Sequence, residues 1–398
     1  DPAKANPLFV YYYFTWSKTV NLIHAMNSKS VQPVFNYTTL KKFPLELPNL
    51  EFQNEAGRII SELDNKIELN RQTNQTLEHI AQALFKCWFV DFEPTRAKII
   101  AKEKGANTAI QELAAQAIIC GAITLEQLEA ITQNLETALQ QAINEKLSQA
   151  NQTPINTEQL KTTAALFPNA LVDSDGVTNS SGTNLHERSE PEGGGSGTSR
   201  LIPEGWREGC IGDIAAAKGG YAFKGKSFVV EGNPVVKIKN ITGDGRIDLN
   251  GAVCIDDTQA ELSVRFKLED GDLLMAMTGA TVGKIGIVVT EGNSVYLNQR
   301  VAKFESNKFG ANAAWFLYCC FKRESIFDLV VGAAQGSAQP NISSSGIEST
   351  KLLLPTDDLV VLFCNKVDAL FKKWLATVNE NSILEKQRDT LLPKLLSG

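Results

Sequence analysis

The stretch AGRIISELDNKIELNRQTNQTLEHIAQALFKCW, residues 56–88, decides the fold of this 398-residue chain. Small and apolar side chains, with two asparagines among them, recur along it in alternating steps of three and four residues. This spacing is the a/d pattern of a coiled-coil helix. The pattern falls on Ile60, Leu63, Ile67, Asn70, Asn74, Leu77, Ala81, Leu84 and Trp88. Asn70 and Asn74 interrupt the apolar seam, as polar residues do where the register of paired helices matters more than stability.

A second copy of this pattern lies at the end of the chain, shifted by 307 residues throughout. Its positions are Val367, Leu370, Trp374, Thr377, Asn381, Leu384, Arg388, Leu391 and Leu395. The same shift matches Phe9 to Phe316, Gln32-Pro33 to Gln339-Pro340 and Leu47-Pro48 to Leu354-Pro355. A match without gaps from about residue 6 to about residue 91 indicates an internal duplication of one long unit. We therefore expect a pair of related domains whose two long helices pair into one rod.

The duplication also predicts what the first copy lacks. In the second copy, related material before Phe316 extends back to Leu201, so its counterpart would begin roughly a hundred residues before Asp1. We expect the first domain to lack most of its N-terminal part in this chain.

Composition restricts the class of protein. The length favours two to three domains, and 43% apolar residues are enough for packed cores. Seven cysteines without a C-x-x-C pair argue against a zinc ribbon and a disulfide framework, so we expect a cytoplasmic protein. The apolar run at residues 8–16 is too short for a membrane span, so we expect no membrane insertion. The net charge of −6 disfavours a nucleic-acid binder, yet residues 218–246 hold six basic and two acidic residues. Such a local cluster suits phosphate contact or, equally, a solvated surface.

The remaining segments follow in order. Residues 1–27 are predicted to be helical and core-facing, and residues 28–48 to form a loop and a short strand ending at Pro48. A basic patch follows the heptad helix at Arg96, Lys98, Lys102 and Lys104, and residues 108–149 have helical periodicity. Residues 173–200 read as a flexible linker, either natural or engineered. Short β runs at 234–239, 271–277, 285–289 and 301–304 then precede a helix at 311–331.

One segment matches a nucleotide-binding motif. Residues 220–227, GYAFKGKS, fit the P-loop pattern G-x-x-x-x-G-K-S. That motif requires a helix directly after it, and Gly232 and Pro234 leave no room for one. A basic turn facing a nucleic-acid backbone is the preferred interpretation, and a P-loop enzyme using Gly220–Ser227 is the alternative.

Several motifs together resemble the specificity (S) subunit of type I restriction–modification enzymes. Residues 202–206 (IPEGW) resemble the opening of a target-recognition domain, and 83–94 (ALFKCWFVDFEP) resemble the end of the central conserved helix. Residues 165–168 (ALFP) resemble the lead-in to the second recognition domain. Further motifs follow in the family's order at 220–224, 236–241, 271–275, 279–286, 297–302 and 338–343. The resemblance covers nearly the whole chain apart from residues 176–200.

The resemblance implies an α+β protein whose α/β target-recognition domains are separated by long conserved helices forming an antiparallel coiled coil. The implied domains are a remnant of the first recognition domain (1–50), the central helix (51–95), a helical insertion (96–172), the linker (173–200), the second recognition domain (201–356) and the distal helix (357–398). Ile60 to Trp88 would span roughly 43 Å, enough to place two readers in successive major grooves about 34–36 Å apart.

It further implies a non-catalytic DNA-recognition subunit of a restriction–modification system. The chain would read a bipartite double-stranded DNA target and dock methylation and restriction/translocase subunits. The coiled-coil helices would also allow two copies of the chain to pair. We expect no cofactor and no metal on this chain; S-adenosylmethionine, ATP and magnesium would be on its partners. A coiled-coil scaffold without a DNA role is a further alternative.

The candidate DNA-contact residues are chosen by side-chain chemistry. Lysines suit phosphate contact, whereas amides and arginine bond to base edges. For Asn298–Arg300 and Gln339–Asn341 the alternative is a structural role in capping loops. The candidates are Tyr221, Lys224, Lys226, Lys237, Lys239, Asn240, Lys284, Asn298, Gln299, Arg300, Gln339 and Asn341.

Overall fold

The computed structural model describes residues 3–27, 37–41, 43–45, 47–149, 156–173, 201–334 and 340–397. These residues form an α+β protein that divides into two compact units. Unit 1 comprises Asp1–Leu77 and Lys373–Gly398, and unit 2 comprises Glu78–Lys372. In the part of the chain that the structure describes, no helix is long and apolar enough to cross a membrane.

Helices dominate the first 165 residues and the C-terminal end. They are α1 (Pro7–Thr15), α2 (Ser17–Asn27), α3 (Tyr37–Lys41), α4 (Leu50–Phe89), α5 (Glu93–Glu103), α6 (Thr108–Ile119), α7 (Leu125–Ala130), α8 (Leu135–Gln149), α9 (Thr157–Ala165), α10 (Asp257–Leu262), α11 (Ala313–Phe321), α12 (Glu324–Ala333), α13 (Ser344–Glu348) and α14 (Asp357–Leu396). The two predicted heptad stretches are thus both continuous helices of 40 residues.

Strands begin only after the helical block. They are β1 (Leu171–Asp173), β2 (Leu201–Pro203), β3 (Arg207–Cys210), β4 (Ala216–Gly219), β5 (Phe228–Val229), β6 (Asn233–Val236), β7 (Gly245–Arg246), β8 (Val253–Ile255), β9 (Lys267–Leu268), β10 (Leu273–Ala276), β11 (Ile285–Ile287), β12 (Val295–Leu297), β13 (Val301–Glu305) and β14 (Lys351–Leu354).

Two five-stranded sheets form the body of the 201–356 region. Their strand orders are β4-β13-β10-β11-β7 and β5-β8-β6-β12-β9. Two-stranded ribbons β1-β2 and β3-β14 complete the strand pairing. Buried side chains of both sheets, including Val236, Leu274, Val288 and Leu297, make one core. The chain passes from one sheet to the other between the consecutive strands β12 and β13.

Unit 1 contains the polar part of the helix seam. The Asn70 amide nitrogen donates to Asn381 Oδ1 at 2.8 Å, and the Thr377 hydroxyl donates to Asn74. Further along the seam, Arg388 bonds Asp64 at 3.0 Å. Partner numbers rise on one helix as they fall on the other, so α4 and α14 are antiparallel in this unit, as expected.

Unit 1 also has an apolar core at the other end of its helix pair. Phe9, Ala56, Ile60 and Leu396 are buried together there. Helix α1 begins at Pro7 because the Asn6 side chain accepts hydrogen bonds from the Leu8 and Phe9 amides.

Unit 2 repeats that core with aromatic side chains. The ring centres of Phe85, Phe89, Phe316 and Phe363 lie 5.1–6.1 Å from one another. The shift of 307 residues relates Phe316 to Phe9, Phe363 to Ala56 and Phe89 to Leu396. Equivalent positions therefore form equivalent cores in each unit, which agrees with the inferred duplication.

The block of helices α5–α9 packs around its own core in unit 2, with Ala97, Ala114, Leu128 and Leu139 buried. Lys98 does not belong to the expected basic patch, whereas Lys102 and Lys104 are exposed. Lys98 is only 2% exposed, and its ammonium donates to Glu112 at 2.7 Å and to the Phe167 carbonyl at 2.6 Å. Charge spacing alone could not reveal that this lysine faces inward.

Three boundaries differ from expectation. The described residues before Pro48 contain helix α3 and no strand. The N-terminal helix is interrupted at Trp16, whose backbone is extended. The helix expected at 311–331 is two helices, because the extended backbone of Arg323 ends one and starts the next. Residues 174–200, most of the predicted linker, and Gln32-Pro33 lie outside the described residues.

Candidate nucleic-acid interface

The short connection between strands β12 and β13 exposes two of the predicted base-contact residues. The backbone amide of Asn298 donates to the Val236 carbonyl at 3.1 Å, and the backbone amide of Gln299 donates to the Tyr221 carbonyl at 3.0 Å. The Val301 amide closes the turn on the Asn298 carbonyl at 3.0 Å. With the backbone held in this way, the side chains of Gln299 and Arg300 are exposed.

A second segment lies beside this turn. Met277 links the two, since its amide donates to the Arg300 carbonyl at 3.0 Å and its carbonyl accepts from the Ile342 amide at 2.9 Å. Asn341 is exposed next to Ile342. Gln299, Arg300 and Asn341 therefore line one open concave surface of about 580 Å³. Side chains predicted from separate motifs are brought together on a polar surface.

Ser343 also lines this surface, although it is not among the predicted contacts. Its hydroxyl accepts from the Gly346 amide at 3.0 Å and caps α13. The run of hydroxyl residues after Asn341 was a signal that could have identified it.

Four of the five predicted phosphate-contact lysines lie on, or directly before, two short turns, Gly225–Ser227 and Ile238–Asn240. Lys224 and Lys226 are exposed around a short 3-10 turn at Gly225–Ser227. The Lys237 ammonium lies 3.6 Å from the centre of the Phe228 ring, and burial, followed by the nearby charge of Lys239, lowers the pKa of Lys237. The Lys239 ammonium is exposed and donates to the Gly251 carbonyl at 2.9 Å. These two turns together carry a concentrated positive charge.

The structure does not bring every candidate to these surfaces. Asn240 is 3% exposed, and its amide accepts from the Lys237 backbone and donates to the Asp248 carbonyl, both at 2.9 Å. Asn298 is 8% exposed and holds its own turn. Both side chains thus have the structural role that was the alternative for Asn298.

Three further candidates do not line the surface formed by Gln299, Arg300 and Asn341 among the described residues. Tyr221 is half-buried, with its ring 4.8 Å from Phe223 and 5.6 Å from Phe266. Lys284 lines a different cleft with Lys322. Gln339 lies outside the described residues.

The P-loop alternative fails on geometry. Gly220–Ser227 follows strand β4, but a three-residue 3-10 turn and then strand β5 come next. The Ser227 amide already donates to the Lys224 carbonyl at 2.9 Å. The helix N-terminus that would hold a nucleotide phosphate is therefore missing from this segment.

Comparison with known proteins agrees with these features. Residues 2–79 and 203–369 match the type I restriction modification DNA specificity domain. The HindI specificity subunit of Haemophilus influenzae, a type I restriction enzyme subunit, is 30% identical over 92% of this chain and 71% of that protein. The MjaIX specificity subunit of Methanocaldococcus jannaschii is 20% identical over 98% of this chain and 68% of that protein.

A crystal structure of the S subunit of a type I restriction–modification system from M. genitalium aligns with 99% of this chain and 74% of its own, at 16% identity and a TM-score of 0.48. This overall superposition is weak, and the sequence matches carry the assignment. The chain belongs to the DNA specificity subunits of type I restriction–modification systems, which are non-catalytic.

Proposed function

We propose that residues 201–356 read one half of a bipartite double-stranded DNA target. The observation that carries this proposal is the convergence of Gln299, Arg300 and Asn341 on one exposed concave surface. Arginine bonds bidentately to guanine and amides bond bidentately to adenine in the major groove. These side chains therefore supply the donors and acceptors for direct readout.

These two turns would position the domain on the duplex. Lys224, Lys226, Lys237 and Lys239 present ammonium groups that suit phosphate oxygens without reading sequence. Packing against Phe228 restricts Lys237, so less side-chain freedom would be lost on contact.

The paired helices would set the spacing of the target and dock other subunits. Continuous helices α4 and α14 give a spacer whose length is proportional to residue number. Residues 1–50 would belong to the domain that reads the other half-site. Methylation subunits would bring S-adenosylmethionine, and restriction/translocase subunits would bring ATP and magnesium.

Selection from a pool of random DNA duplexes tests the proposal, using the full chain alone and with its methylation partner. We expect a consensus with a few fixed bases. Arg300→Ala should weaken binding to the selected duplex by about 1–3 kcal/mol and relax the preference at one base position. Affinity for unrelated duplex DNA should change much less.

Arg207→Ala is the matched control, since Arg207 is an exposed arginine on the β3–β14 ribbon. The proposal is wrong if no consensus emerges, or if Arg300→Ala and Arg207→Ala behave alike. Nucleotide binding that disappears in Lys226→Ala would instead support the P-loop alternative, and retained folding without any DNA binding would support a scaffold.

A further inference from the structure

A basic groove borders the proposed reading surface and contains none of the predicted contact residues. Strand β4, strand β13 and the turn leading into β9 form its walls, and it encloses about 500 Å³. Four basic side chains line it: Lys218, Arg265, Lys267 and Lys303. Glu305 is the acidic residue among the lining side chains.

Two of these cations are neutralised within the fold. Lys303 is 19% exposed and bonds Asp272 at 2.9 Å, with Glu305 at 3.5 Å. Lys218 pairs with Glu305 at 2.5 Å. The remaining pair, Arg265 and Lys267, is exposed, and no described residue forms an ion pair with either. The groove therefore has an uncompensated positive charge from these two residues.

The Arg265 guanidinium makes a cation–π contact. It lies 4.6 Å from the centre of the Phe266 ring, which in turn lies 5.6 Å from the ring of Tyr221. A stacked guanidinium keeps its N–H edge free for two parallel bonds to a phosphate, with less freedom to lose than an unsupported side chain. Tyr221 is thus part of the aromatic cluster beneath Arg265.

Glycines join the groove to the reading surface. A Cβ at Gly220 would lie 2.2 Å from the Leu297 carbonyl oxygen, so this position has no room for a side chain. At the neighbouring Gly219 a Cβ would lie 3.5 Å from the Gln299 carbonyl oxygen. The backbone of Gln299, whose side chain lines the reading surface, therefore borders the groove here.

We propose that Arg265 and Lys267 bind phosphates of the DNA backbone that flanks the bases read at Gln299 and Arg300. This inference rests on the proposed function, because it requires a duplex on the neighbouring surface. Since both contacts are to phosphates, they add affinity and fix orientation without selecting sequence.

Salt dependence of binding to a labelled random-sequence duplex tests the groove, with the full chain. Each lost phosphate contact makes the slope of log affinity against log salt shallower by about 0.9. We expect the double variant Arg265→Ala/Lys267→Ala to make this slope shallower by about 2. The consensus selected from random duplexes should stay the same. The single variant Arg265→Lys should keep the wild-type slope but bind less tightly, because lysine lacks the planar guanidinium that donates two parallel hydrogen bonds.

Arg207→Ala/Lys308→Ala removes the same two kinds of charge and is the control, since both residues are exposed and lie outside the groove. An unchanged slope in the groove variant, or an equal change in the control, overturns the inference. A wild-type chain that binds no duplex overturns the proposed function itself, and a changed consensus in the groove variant means that these residues read bases instead.

Discussion

At the scale of single residues, the asparagines of the helix seam show how a polar layer is satisfied. Asn70 is 3% exposed, and its amide nitrogen reaches both Asn381 at 2.8 Å and Glu380 at 2.9 Å. The side-chain amide nitrogen of Asn381 donates a hydrogen bond to the Ile67 carbonyl at 3.2 Å. These bonds form in one alignment of the two helices, so the layer opposes slippage of one helix along the other.

We expect Asn381→Leu to lower the free energy of unfolding by about 1–3 kcal/mol, because it leaves buried polar groups with fewer partners. Asn70→Leu/Asn381→Leu should recover much of that loss, since two apolar residues then face each other. Urea unfolding of both variants measures the effect, and Ile383→Ala at an exposed position of α14 should change stability by less than about 0.5 kcal/mol. Equal losses in the single and double variants would contradict this account.

Tyr12 should make the stability of unit 1 sensitive to alkaline pH. Burial, followed by a hydrogen bond to Asp64, raises the pKa of Tyr12 to about 12. An unfolded chain loses the phenol proton near pH 10, so the contribution of Tyr12 is complete below about pH 10 and declines as pH rises towards 12. The free energy of unfolding should fall less steeply over this range in Tyr12→Phe, whereas Tyr37→Phe, at an exposed position, should keep the wild-type slope.

At the scale of elements, the helical block α5–α9 depends on one buried charge. Lys98 joins α5 to Glu112 on α6 and to the carbonyl of Phe167 beyond α9. Lys98→Met should therefore destabilise the protein by about 3 kcal/mol, because Glu112 and the Phe167 carbonyl lose their common donor. Lys102→Met, at an exposed position of the same helix, is the control. Thermal unfolding measures the difference, and similar melting temperatures would show that Lys98 contributes little.

The sequence predicted some elements much better than others. Alternating steps of three and four residues located α4 and α14, because that periodicity follows directly from helix geometry. Gln299, Arg300 and Asn341 were identified by side-chain chemistry, but their convergence depends on hydrogen bonds through Met277 that local patterns do not encode. Burial of Lys98 and Asn240 likewise depends on residues distant in sequence. The proposed phosphate contact of Arg265 was not predicted, because it depends on the groove and on the cation–π contact with Phe266.

At the scale of the whole molecule, duplication has produced equivalent cores with different polar contacts. In unit 2, the Tyr318 hydroxyl and the Lys322 ammonium both bond Glu78, each at 2.9 Å. The shift of 307 residues relates Tyr318 to Tyr11 and Lys322 to Thr15. Tyr11 is 59% exposed, whereas Tyr318 is 1% exposed. The second copy thus connects helix α11 to α4 through a partly buried polar cluster. The exposed tyrosine of the first copy makes no equivalent contact among the described residues.

This difference makes the two tyrosines a matched pair for experiment. Tyr318→Phe should lower the free energy of unfolding by about 1–2 kcal/mol, because the Glu78 carboxylate loses a buried donor while the ring packing is kept. Tyr11→Phe, at the equivalent position, should change it by less than about 0.5 kcal/mol, since water already solvates that hydroxyl. Urea unfolding followed by tryptophan fluorescence compares them, with Trp315 on α11 close to the altered site. If the two substitutions cost the same, the hydrogen bond from Tyr318 to Glu78 does not help to hold α11 against α4.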